Sequence, residues 1–161
     1  MLRIVTGGQT GVDRGALDGA LGAGFACGGW CPAGRRAEDG VIPSTYPLRE
    51  LPAGGYEART RRNVEDSDGT VVIAFDAPAG GTALTVLHAR ELRRPLLLID
   101  ARRIGPRDAA GAVRDFVRDE GLQVLNIAGP RASENAHGHS YARALVEELA
   151  QLLAQYLTGE S

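Results

Sequence analysis

Ile4-Val5-Thr6-Gly7-Gly8-Gln9-Thr10-Gly11-Val12-Asp13-Arg14-Gly15-Ala16-Leu17-Asp18 passes from a short apolar run, through a glycine-rich turn, into an amphipathic helix pattern. Strand, glycine turn and helix in that order are how α/β proteins present backbone N–H groups to an anion. The turn matches neither common fingerprint. Its glycines do not space as G-x-G-x-x-G, and no lysine follows as in a Walker A loop. A turn that only joins a strand to a helix has no need of Gln9, Thr10, Asp13 and Arg14 within six residues, whereas a ligand site does. Asp13 has two readings: a carboxylate favoured by the dipole of the helix it opens, or a group that reads a polar edge of a ligand.

Outward from this turn the same unit recurs. Leu2 to Thr6 reads as a buried strand, Val12 to Leu21 as its helix, ended by Gly22 and Gly24, and Phe25 to Cys27 as a brief second strand. Thr70 to Phe75 is the clearest β-branched strand. Behind it, Pro78-Ala79-Gly80-Gly81-Thr82 leads into a helix over Ala83 to Leu92, a second anion cradle of N–H groups plus a hydroxyl. Leu96 to Asp100 and Val124 to Ala128 are further strands, with a helix over Pro106 to Glu120 between them. Gly129-Pro130-Arg131-Ala132-Ser133 makes a third polar glycine turn. A terminal helix, opened by His139 or Ser140, carries a core stripe of Ala142, Leu145, Val146, Leu149, Leu152, Leu153 and Tyr156. The alternation predicts one α/β domain over residues 1–161: a doubly wound, mainly parallel sheet of about five strands with helices on both faces. Parallel strands place all three turns at one carboxyl edge.

Two segments interrupt the alternation. Tyr56 to Glu65 reads as a short helix. Gly28 to about Gly55 has no period and holds four of the eight prolines, and a loop this long in a compact domain is usually functional or disordered. Trp30 and Tyr46 argue for order. Arg35-Arg36-Ala37-Glu38-Asp39-Gly40 sets two cations beside two carboxylates, which either pair with each other in solvent or cover the first turn and reach a ligand.

Composition closes several routes. A net charge of −2 points to no nucleic-acid partner and no membrane surface. All 18 basic residues are arginine, so any cation in a site is a guanidinium suited to bidentate phosphate or carboxylate contacts, and Schiff-base lysine chemistry is excluded. Cys27 and Cys31 lack a second cysteine pair and predict reduced thiols, not zinc. His137-Gly138-His139 is too thin a tract for a metal, so no protein-ligated metal is expected, and His88 reads as an ordinary helix residue. No signal peptide or membrane-length apolar run is visible, which predicts a cytoplasmic protein.

Thr6-Gly7-Gly8-Gln9-Thr10-Gly11-Val12-Asp13-Arg14, Gly29-Trp30-Cys31-Pro32, Gly34-Arg35-Arg36-Ala37-Glu38-Asp39-Gly40 and Ile42-Pro43 together resemble the putative molybdenum carrier family. Arg59-Thr60, Asn63-Val64, Asp66-Ser67-Asp68-Gly69-Thr70, Gly80-Gly81-Thr82 with Leu84-Thr85, and Asn126 to Arg131 extend the likeness over nearly the whole chain. The resemblance implies a Rossmann-like fold related to the lysine-decarboxylase-like (LOG) phosphoribohydrolases. It also implies a site for a nucleotide-like or molybdenum-cofactor-like ligand, in a homo-oligomer. LOG enzymes follow their glycine-threonine turn with a catalytic glutamate. Here Thr85 falls about there, which turns the expectation from hydrolysis towards binding.

The reading is therefore a binding or carrier protein for a phosphorylated nucleotide-like or pterin ligand, molybdenum cofactor among them. Gly7, Gly8, Gln9, Thr10, Gly11 and Asp13 would form one wall and Gly80, Gly81 and Thr82 the other. Arg14, Arg35 and Arg36 would supply charge. The rival is a nucleotide hydrolase with Glu38 or Asp39 as the acid.

Overall fold

In the computed structural model, which describes residues 1–159, nine strands and five helices follow in chain order. They are β1 (Arg3–Val5), α1 (Val12–Ala23), β2 (Ala26–Gly28), β3 (Trp30–Cys31), β4 (Arg36–Ala37), β5 (Gly40–Val41) and β6 (Arg49–Glu50). Then come α2 (Tyr56–Glu65), β7 (Gly69–Ala74), α3 (Gly80–Glu91), β8 (Leu96–Asp100), α4 (Pro106–Glu120), β9 (Val124–Ala128) and α5 (Gly138–Thr158). Five strands form one all-parallel sheet in the order β2-β1-β9-β7-β8. Helices α1 and α4 both pack on α5, while α2 packs on α3, so the sheet lies between two helical layers. This is the doubly wound Rossmann-like α/β fold expected from the alternation.

The winding reverses in the middle of the sheet. From β1 the chain moves outward through α1 to β2, and from β7 it moves outward the other way through α3 to β8. β9 lies between β1 and β7. Such a reversal leaves a crevice beyond the carboxyl ends of the central strands, because the flanking helices depart in opposite directions.

The core explains the stability of this frame. Ile4, Val71, Ile73, Leu125 and Ile127 fill the face of the sheet that α1, α4 and α5 cover, and Val12, Ala16, Leu17 and Ala20 of α1 are fully buried. In α5 the expected stripe is buried at Ala142, Leu145, Val146 and Leu149 and half-buried at Leu152 and Leu153. The side chain of Tyr156 lies outside those described. Among the described residues, no helix is long and apolar enough to cross a membrane.

The stretch from 28 to 55 is ordered, not open loop. β3 and β6 pair in parallel, β4 and β5 form a tight antiparallel pair, and Cys31, Ala37 and Ile42 bury a small core against Tyr46 and Leu48. Elements of two residues carry no periodic signal, and for that reason the sequence pattern misses them. The start of α3 also differs from expectation: Gly80 and Gly81 sit inside its first turn, not ahead of it.

Candidate functional site

The three glycine turns meet at the reversal point. Gly7 and Asp13 reach it from β1 and α1, Gly81, Thr82 and Thr85 from α3, and Asn126, Gly129, Arg131 and Glu134 from the end of β9. Together with Tyr56, Arg59, Thr60 and Asn63 of α2 they line an open cleft of about 240 Å³.

Its floor is a buried ion pair. Arg59 Nη1 lies 3.1 Å from Asp13 Oδ2, and both side chains are about one-tenth exposed. The same carboxylate oxygen accepts the Gln9 N–H at 3.1 Å. Burial pushes the Asp13 carboxyl above its ordinary range, opposed by Arg59 and by the N–H groups of Gln9 and Gly7. Gly7 has a steric reason to be glycine: a Cβ there would overlap Arg59 Nη1. The missing side chain is the opening through which the guanidinium reaches Asp13.

Around this pair stand neutral donors and acceptors. Thr60 donates to the Tyr56 carbonyl at 2.9 Å and Thr85 to the Gly81 carbonyl at 3.0 Å. Asn126 Nδ2 lies 3.3 Å from Thr70 Oγ1. Asn63 is held on its far side, its Oδ1 accepting the Trp30 N–H at 2.8 Å and its Nδ2 donating to the Trp30 carbonyl at 2.9 Å. The first turn of α3 has no side-chain cap: its Thr82 and Ala83 N–H groups donate to the Ala79 carbonyl, and Gly81 and Thr82 face the cleft beside Arg131, whose Nε lies 3.2 Å from Glu134 Oε1 and 3.9 Å from Glu38 Oε2.

The remaining residues expected in the site are used elsewhere. The first turn satisfies its own amides: Gly8 N–H donates to Thr6 Oγ1 at 3.2 Å, Gln9 N–H to Asp13, and Thr10 N–H to Gln9 Oε1 at 3.0 Å. Of the residues expected on that wall, Gly7, Gln9 and Asp13 line the cleft and Gly8, Thr10 and Gly11 do not. Gly8 faces Leu48, and Gly11 packs against the Pro130–Ala132 backbone. On the opposite wall Gly81 and Thr82 line the cleft, whereas Gly80 does not.

The charged loop is likewise committed. Arg14 forks onto Asp39, with its Nη2 2.8 Å from Oδ1, and also donates to the Gly8 carbonyl. Arg35 donates to the carbonyls of Ile42, Pro43, Tyr46 and Leu48, and Arg36 to that of Ala33. Glu38 accepts from the Thr10 hydroxyl, the Ser133 hydroxyl at 2.6 Å and the Ser133 N–H at 3.1 Å. None of Arg14, Arg35, Arg36, Glu38 and Asp39 lines the cleft. The loop does lie against the first turn, but local partners take up its charges.

This arrangement has a pH signature. Arg14 holds the Asp39 carboxyl below its ordinary range, against the opposing effect of burial. The folded-state pKa therefore lies below the unfolded value of about 3.9, so the pair's stabilisation is present above that value and lost as pH falls through the lowered one. Because Asp39 is half-exposed, its share is about 1 kcal/mol or less. Melting curves of the native protein and Asp39→Asn should differ at neutral pH, begin to approach each other below about pH 4 and meet once pH falls past the lowered folded-state value. Parallel curves across that range would show that the pair does not anchor the loop.

The histidines take no part in the cleft lining. His88 is buried in α3 with neither ring nitrogen hydrogen-bonded, and His139 Nε2 lies 2.7 Å from Asp18 Oδ2 on the α1–α5 side. Cys27 and Cys31 are free thiols. Among the described residues, no three His, Cys, Asp or Glu side chains converge as metal ligands.

With the cleft defined, comparison places the chain among known proteins. The model of the circularly permutated YpsA SLOG family matches residues 4–150. The chain belongs to that family. This SLOG chain is also similar to the crystal structure of a putative molybdenum carrier protein from Syntrophus aciditrophicus SB. The identity is 44%, the TM-score 0.89, and the match covers 92% of this chain and 94% of that one. No curated protein matches it.

Arg59, Thr60, Asn63, Asn126 and Glu134 line the cleft although they lie outside the three glycine turns. Helix α2 held a usable signal. Its sequence, YEARTRRNVE, is polar all round, yet a helix packed on the protein must bury one face. The buried face comprises Arg59, Thr60, Asn63 and Val64, so most of what α2 turns inward must find polar partners.

Proposed function

We propose that this protein binds, and acts as a carrier for, a small phosphorylated ligand of the nucleotide or pterin type, with molybdenum cofactor within that class. The observation that carries the reading is the cleft itself: the α3 N-terminus and the guanidinium groups of Arg59 and Arg131, which face Asp13 and Glu134 through one nitrogen each, offer N–H donors, and the surrounding hydroxyls and carboxamides can read a heterocycle edge. About 240 Å³ falls short of the roughly 300–1,000 Å³ usual for whole drug-sized ligands. It suits a phosphorylated end held in the cleft, with the rest of the molecule extending through the open mouth.

The name of the similar Syntrophus protein, putative molybdenum carrier, agrees with this reading. The donor set suits the phosphate and pterin parts of such a cofactor. Any metal would come with the ligand's own donors, since the lining offers arginine, threonine and asparagine around isolated carboxylates. Phosphoribohydrolysis finds no support in the geometry. Glu38 and Asp39 are clamped outside the cleft by Ser133 and Arg14, and Thr85 bonds back to its own helix.

Calorimetry with nucleoside monophosphates and molybdopterin tests the proposal. At least one should bind, and Thr82→Val or Arg131→Gln should weaken it about tenfold, the loss of one or two charge-assisted contacts. Absence of binding by all of them would overturn the reading. Release of free base that Glu38→Gln abolishes would replace it with the hydrolase.

A further inference from the structure

A second concavity, of about 640 Å³, lies on the other side of Asn63 from the cleft. Its lining includes Val5, Val124, Pro47 and Leu48, with Arg3, Arg49 and Trp30 also facing it. Gly29-Trp30, one of the motifs conspicuous in the sequence, contributes nothing to the cleft and belongs here.

Two arginines that face this groove carry no ion pair among the described residues. Arg14, Arg59, Arg61 and Arg62 each pair with a carboxylate, whereas neither Arg3 nor Arg49 has a carboxylate in ion-pair range among the described residues. Asp66, the acidic group of the groove, already accepts Trp30 Nε1–H at 2.7 Å and Arg62 Nε–H at 3.0 Å. The Arg49 guanidinium stands 5.0 Å from the centroid of the Trp30 ring, and that of Arg62 stands 4.5 Å from it. These contacts fix the indole in place. Arg3 lies against Gly28, where a Cβ would sit 2.5 Å from its Nη2, so the absent side chain lets the guanidinium rest along the strand.

We propose that this groove is a second binding site, separate from the cleft, for an anion with a flat apolar body: an aromatic carboxylate, sulfonate or phosphate. The apolar side chains bury the body, and Arg3 and Arg49 hold the charged group. Asn63 lines both concavities and is bonded to Trp30 through both ends of its carboxamide, which gives the two sites a shared wall.

Trp30 is the single tryptophan of the chain, so its emission reports this groove alone. Titration of the full chain with 1-anilinonaphthalene-8-sulfonate should give saturable energy transfer from Trp30, and inorganic phosphate, which lacks the apolar body, should compete poorly. Arg3→Gln combined with Arg49→Gln should weaken binding at least tenfold, Arg49→Lys should restore part of it, and Thr82→Val in the cleft should leave it unchanged. Non-saturating transfer, equal affinity in the charge-removed variant, or loss on Thr82→Val would each overturn the proposal. If the double variant fails to fold, Arg3→Gln alone, at an exposed strand position, decides the matter. Affinity of the native protein that does not fall with added salt would count against the site in the same way.

Discussion

Asp13→Ala is expected to destabilise the protein by about 3–5 kcal/mol, the usual result of removing one partner of a buried ion pair. The carboxylate is almost wholly enclosed and serves both Arg59 and the Gln9 amide. Without it a guanidinium remains buried, with the Tyr56 carbonyl as its one other hydrogen-bond acceptor among the described residues, and an amide loses its acceptor. Asp13→Asn should cost less, because it keeps an acceptor for the Gln9 N–H while losing the charge. Gly7→Ala should act on the same unit, since its methyl group occupies the space of the Arg59 side chain. The double variant Gly7→Ala/Asp13→Ala should therefore lose less than the sum of the two. Urea unfolding followed by circular dichroism measures all four variants. A loss below about 1 kcal/mol for Asp13→Ala would mean that Arg59 escapes to solvent and that the floor of the cleft is not a fixed pair.

Gly11→Ala should cost about 3 kcal/mol and lower the melting temperature by about 6–12 °C. Gly11 has φ +80°, a conformation that side chains resist, and an added Cβ would overlap the Pro130 carbonyl and lie 2.8 Å from the Ala132 nitrogen. Both obstacles are backbone and cannot rotate away. The same carbonyl accepts the Val12 N–H at 3.2 Å, so the first and third turns are locked together at this point. Displacing them moves one wall of the cleft, and ligand affinity should fall with stability. Gly22→Ala, in the same helix with open space around it, is the matched comparison and should be neutral or stabilising by up to about 1 kcal/mol. Similar melting temperatures for the Gly11→Ala and native proteins would refute the interlock.

The location of the cleft was legible in the sequence because strand polarity decides it. Three glycine turns that each follow a parallel strand must emerge at one sheet edge, whatever the order of the strands. The identity of its charged groups was not. Arg14, Arg35 and Arg36 advertise themselves by lying in or near the glycine-rich motifs, yet the structure spends them on Asp39 and on backbone carbonyls. Arg59, buried in the floor, sits in a helix whose composition reads as solvated. Sequence proximity reports which cations are near a turn. It does not report which acceptor is nearer still, and a carboxylate or carbonyl within 3 Å outcompetes a site farther off.

By itself, then, the sequence determined the α/β alternation, the parallel sheet and the edge on which the turns gather, since all three follow from local periodicity and chain direction. Only the tertiary structure decided the strand order β2-β1-β9-β7-β8 and the folding of residues 28–55 into short paired strands. It alone also decided the role of Gly7. That glycine, which the sequence offers as a phosphate-binding amide, is required because Arg59, 52 residues further along, must pass over it to reach Asp13. Contacts between distant segments depend on which side chains the packed helices bring within a few ångströms, and no local pattern encodes that.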